Sequence, residues 1–250
     1  MRAVLKDQLV GLDTKFRHRG LNQTRIETFS DAVFAVAFTL VVLSGSVPET
    51  FDQLRAYIND VIPSFICIIL IVVIWYQHYI FFLRYGLQDT KTVVINTFLT
   101  FMVLIYIYPL KFLTRFLYEL YYGLMVGKAD NFMNDFGGEM NASNMTLLMV
   151  AYGTGATLIF MSMAWLYRNA YAKREELELD EYEAWSTKVS LWQNLLMSSI
   201  PFLSVMIIVL GIFGRGTLNF TIAGFTYMLY MVVMPIFGFL MSKKSKEKFG

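Results

Sequence analysis

Six continuously apolar stretches, at about 26–47, 61–83, 92–113, 144–166, 189–213 and 218–241, divide the chain between charged or turn-rich breaks. A helix needs about 20 apolar residues to cross the hydrocarbon core of a bilayer, and each stretch supplies them. Inside lipid the backbone has to satisfy its own hydrogen bonds, which leaves helices or a closed barrel. A barrel would alternate lumen-facing and lipid-facing residues, and these runs do not alternate. Of 250 residues, 56% are hydrophobic and only 16% are charged, against about 25% charged in an ordinary soluble domain. That balance excludes a soluble enzyme and a disordered chain. With a net charge of +2, it also excludes a nucleic-acid binder. The single Cys67 leaves no intrachain disulfide and no Cys-based zinc site, and two unclustered histidines argue against a transition metal. No cofactor is expected. The fold class is an all-α polytopic membrane protein, with one six-helix transmembrane domain over residues 1–250.

Lysine and arginine orient it. If the amino terminus is cytoplasmic, the inside segments hold 16 of the 21 basic residues. Outside remain Arg55, Lys111, Arg115, Lys128 and Arg215. This is the bias of the positive-inside rule, and an even number of spans then puts both termini in the cytoplasm. The connections are too short for an extramembrane domain. Residues 51–61 read as a short amphipathic helix on the outer surface, 118–143 as an outer loop, and the acidic run 175–183 as a solvated helix extension. Pro63 and Pro201 are expected in the opening turns of their spans.

An ionisable group at membrane depth is costly and is by default a functional candidate. Ser30 and Asp31 lie near the start of the first stretch, Trp75 and His78 near the end of the second, and Asn96 one turn into the third. Because successive helices alternate in direction, Ser30, Asp31, His78 and Asn96 share one depth near the cytoplasmic side. The shared depth favours a buried polar network over unrelated interfacial residues, with a role in packing rather than catalysis. At about 100° per residue, Val36, Leu40 and Leu43 form one stripe, with Thr39 beside it and Asp31 about 220° from Val36. The carboxylate therefore points away from the stripe, toward neighbouring helices where His78 and Asn96 are expected to satisfy it. Arg25 is expected to cap this network from before the first regular turn.

The string Arg25-x-x-x-Phe29-Ser30-Asp31, followed by Ala-Val-Phe-Ala-Val-Ala-Phe-Thr-Leu, resembles the signature of the endolysosomal potassium channel family (transmembrane protein 175) and its bacterial relatives. Trp75-x-x-His78 and Asn96 are similar to that family as well, and the resemblance is strongest over about residues 20–115. It implies a potassium-permeable channel without a re-entrant pore loop, with potassium as permeant. One copy of the motif implies a homotetramer, four first helices around the axis, in a bacterial inner membrane. By position after Ser30-Asp31, the resemblance assigns Val36, Leu40 and Leu43 to the narrow point of the pore and Thr39 to selectivity. On the residues alone, a valine and leucine stripe would more often face lipid or another helix; the resemblance gives it the pore.

Four copies of an apolar ring block ions by dewetting a constriction. The rival is a proton-coupled cation transporter carrying protons on Asp31 and His78, but such folds usually show paired repeats with interrupted helices, and none is visible here. No nucleophile, metal cluster or acid–base pair supports a membrane enzyme.

Overall fold

The computed structural model describes residues 15–43, 47–126, 141–214 and 216–250. Among these, every regular element is a helix: α1 (Arg25–Val42), α2 (Phe51–Tyr85), α3 (Thr90–Val126), α4 (Ala142–Ala172), α5 (Glu181–Leu210), α6 (Thr217–Phe225), a 3-10 turn (Thr226–Met228) and α7 (Leu229–Phe249).

The chain sets their ends by local chemistry. Thr24 and Glu27 form a reciprocal capping box at the start of α1, and Asp180 and Glu183 form another at the start of α5. Gly86 ends α2 at φ 59°, a left-handed conformation that glycine adopts without steric cost. The segment before α1 returns across that end. Gly20 donates its backbone N–H to the Leu83 carbonyl at 3.0 Å, and a Cβ at Gly20 would fall 2.0 Å from the Phe82 carbonyl oxygen. Only glycine fits this crossing.

α1 packs on α2 and α3, α3 packs on α4, and α4 runs along α5; α6 and α7 lean on α5. One core joins the first four helices, centred on Phe34, Ile71, Phe81, Leu99, Ile159 and Leu166. No residue of α7 is buried. Its end is held at the start of α5, where Phe249 meets the rings of Tyr182 and Trp185.

Among the described residues, five helical segments, α2, α3, α4, α5 and the run Leu218–Phe249, are long and apolar enough to cross a membrane. α1 is not among them. It has 18 residues, and Arg25, Glu27 and Asp31 fall within its first two turns.

Local expectations need correction at four places. Residues 51–61 are no separate surface helix; they open the continuous 35-residue α2. The connection expected over 118–143 begins later, since α3 continues to Val126, and 127–140 lie outside the described residues. The 175–183 run is a turn followed by the α5 cap, not a helix extension, and Glu183 is 1% exposed rather than solvated. Pro63 and Pro201 lie well inside α2 and α5 rather than in their opening turns.

Candidate functional site

α1 divides into two faces. Glu27, Ser30, Phe34, Ala37 and Val41 are buried against α2 and α3 at helical spacing. On the opposite side Val36 is 52% exposed and Leu43 is 68% exposed. Thr39 is exposed, and its hydroxyl donates to the Ala35 carbonyl at 2.9 Å. Leu40 is half-buried and packs against the core. Within one chain the stripe thus borders the open side of α1, with Leu40 at its edge. Arg25 and Phe29 continue the same stripe toward the start of the helix, at about 100° per residue.

The buried face carries a directed hydrogen-bond chain. Ser30 Oγ donates to the Ile26 carbonyl at 2.9 Å, which uses its one proton. It therefore accepts from Asn96 Nδ2, at 2.8 Å. That orientation turns Asn96 Oδ1 toward His78 Nε2, at 2.7 Å, so the imidazole carries a proton on Nε2. Ser30, Asn96 and His78 are 0%, 1% and 1% exposed. Phe34 and Phe82 flank the imidazole at ring distances of 5.7 and 4.8 Å. Thr100 continues from Asn96 one turn along α3, donating to the Asn96 carbonyl. Three helices are pinned together at one level.

Asp31 is not in this chain. Its Oδ1 accepts the indole N–H of Trp75 at 2.9 Å, and its Oδ2 accepts from Gln23 Nε2 at 3.0 Å. The expected pairing with His78 and Asn96 is corrected on this point. Trp75 lies one turn before His78 on α2, and its long side chain reaches the flank of α1 that holds Asp31. Arg25 is also corrected. It is exposed on the stripe side and joins neither set of bonds among the described residues.

Three polar clusters are not legible in the sequence alone. Glu183 completes the α5 cap while accepting from the Arg17 backbone at 2.7 Å and from the Arg19 guanidinium. Arg19 also donates to the Leu177 carbonyl at 2.7 Å, so the segment before α1 is clamped to α5. The spacing Asp180-x-x-Glu183 is the available signal for the cap, but nothing local points to Arg19. Lys111 pairs with Asp60 at 2.8 Å and donates to the Val41 carbonyl at 2.7 Å. This places a cation at the carbonyl end of α1, where the helix dipole favours it. Asp89, just before α3, accepts from Thr92 at 2.6 Å and from Asn169 at 3.3 Å, with the Lys173 ammonium at 4.0 Å. Burial alone would raise its carboxyl; the bonds from Thr92 and Asn169 and the charge of Lys173 outweigh that and hold it below the ordinary aspartate value.

These helices coincide with the part of the chain that matches a family model. The model for the endosomal/lysosomal potassium channel TMEM175 matches residues 25–109, from the first residue of α1 to Pro109 within α3. A protein named "Potassium channel" from Marivirga tractuosa is 50% identical over 247 residues, covering 99% of this chain and 98% of that one. The crystal structure of the potassium channel MtTMEM175, as a threonine-to-alanine variant bound to a nanobody–MBP fusion, superposes with a TM-score of 0.82 at 48% identity; the match covers 94% of this chain and 100% of that chain. Identity this high over almost the whole length, with the family model falling on the three helices that share the polar chain, means that this protein belongs to the TMEM175 potassium channel family.

Proposed function

We propose that the protein is a potassium-permeable cation channel that conducts passively through a central pore lined by α1. The observation that carries this reading is the asymmetry of α1 in a chain of this family. One face is locked by Ser30, Asn96 and His78 against α2 and α3, while the other leaves Val36 and Leu43 open. An apolar side chain left open next to a polar anchor is suited to an axis shared by several copies. Four copies assemble as a homotetramer, and Val36, Leu40 and Leu43 form rings that gate by dewetting. Thr39 hydroxyls line the same path and take part of the hydration of a weakly hydrated cation. The sequence contains no TVGYG string, so conduction does not use a carbonyl filter of that type.

In this reading α1 also crosses the membrane, making six spans with both termini in the cytoplasm of a bacterial cell and the whole chain as one channel domain. Its 18 residues reach about 27 Å at 1.5 Å per residue, close to the hydrocarbon thickness of about 30 Å. Its charged residues sit in the opening turns, near the headgroups.

The test is flux from proteoliposomes loaded with potassium, with no pH gradient imposed. Passive potassium efflux that sets a potassium diffusion potential is the expected result. Efflux that appears only against an opposing proton gradient, and saturates, would replace the channel with a proton-coupled transporter.

A further inference from the structure

Between α3 and α4, where α3 begins and α4 ends, lies a groove of about 840 Å³. Its lining is mostly apolar, with Val94, Phe98 and Trp165 along it and Lys91 and Arg168 also among the lining residues. The order of groups is that of an amphiphile. On α3, Lys91, Val94 and Phe98 follow at i, i+3 and i+7, so the cation is at the helix end and the apolar groups lie about 4 to 10 Å deeper. On α4, which runs the other way, Arg168 is nearer the end and Trp165 is one turn deeper. Lys91 and Arg168 are both exposed, and neither forms an ion pair among the described residues. The nearby acid, Asp89, is already engaged by Thr92, Asn169 and Lys173. Asn169, also in the lining, spends its amide on Asp89 and Thr92. Val94 and Trp165 are 62% and 57% exposed.

We propose that this groove binds one anionic glycerophospholipid of the cytoplasmic leaflet, its phosphate between Lys91 and Arg168 and an acyl chain along Val94, Phe98 and Trp165. Charge complementarity selects this occupant. Two like charges on the helix-end side of an apolar groove match one anion joined to a hydrocarbon tail, and basic pockets between transmembrane helices on the cytoplasmic side bind such headgroups. The leaflet rests on the orientation proposed above; the headgroup chemistry does not.

Native mass spectrometry of the assembled protein, delipidated in detergent and titrated with phosphatidylglycerol or with phosphatidylcholine of the same chains, tests this. Phosphatidylglycerol adducts are expected in clear excess. Lys91→Gln and Arg168→Gln, read separately and together, each lower that retention about fivefold, since one cation near a membrane surface is worth about 1 kcal/mol toward an anionic lipid. Lys244→Gln with Lys246→Gln, on α7, leaves it unchanged. Equal retention of the two lipids, or full phosphatidylglycerol retention by both single variants, overturns the proposal. So does disulfide cross-linking of Trp165→Cys to a neighbouring subunit, which would make the groove a contact between copies. The readout is bound lipid, so a failure of ion conduction leaves it standing, and loss of the lipid leaves the channel reading intact.

Discussion

Trp75 donates its indole N–H to Asp31 across the α1–α2 contact at 2.9 Å, and it does so beside, not within, the Ser30–Asn96–His78 chain. The two sets of bonds hold α1 on adjacent flanks. One is buried; the other is half-open, because Asp31 is only partly covered.

The acceptor that Trp75 needs is an oxygen, not a charge. Asp31→Asn is therefore expected to keep assembly and lose little stability, whereas Asp31→Leu and Trp75→Phe each lose about 1–2 kcal/mol. A double-mutant cycle on thermal unfolding in detergent measures the coupling, and a value near zero would mean that this bond does not anchor α1.

Asn96 is the middle of a fully buried chain, so its loss costs more than one bond. Asn96→Leu leaves the His78 Nε2–H without its acceptor and removes the donor to Ser30. The expected destabilisation is about 2–3 kcal/mol, against about 1 kcal/mol for Ser30→Ala. Chemical or thermal unfolding of the two variants side by side checks the order.

On the open face the expectation reverses. Val36→Ala or Leu40→Ala widens the apolar ring of the proposed pore and raises potassium flux, while the assembly keeps its size by light scattering. Leu40 also touches the core, so Leu40→Ala loses some stability and Val36→Ala does not. Unchanged flux in both variants would move the stripe off the pore.

Asp89 gives a pH dependence whose sign is set by its environment. Its carboxyl is held below the ordinary aspartate value of 3.8 in the folded chain. The stabilisation is therefore complete above that value and is lost as pH falls through the lower folded value. Asp89→Asn should lower the unfolding temperature at neutral pH and narrow its gap to the unmodified protein as pH falls below about 4. A gap that stays constant with pH would mean that the charge of Asp89 contributes nothing.

The helices themselves were legible because a bilayer leaves few alternatives, and long apolar runs without alternation read as helices whatever they pack on. α1 is the partial exception. Its apolar run was clear, but the charges at Arg25, Glu27 and Asp31 keep it from meeting the length and composition that mark the other five segments. The common level of Ser30, His78 and Asn96 was legible for a related reason: helical rise per residue is fixed, so position along the chain converts directly to depth.

What the sequence determined by itself was therefore helical character and level: which runs are helices, which residues share a level along them, and which sides of α1 differ. Tertiary structure alone decided rotation and partnership. It gave Asp31 to Trp75, left Arg25 outside both sets of bonds among the described residues, joined Arg19 to Glu183 across the chain and brought Lys111 to the end of α1. The physical reason lies in the solvent. A helix that is apolar nearly all round has no strong preference for how it turns toward its neighbours, so its rotation is set by shape and by a few hydrogen bonds, whose partners sit on other helices.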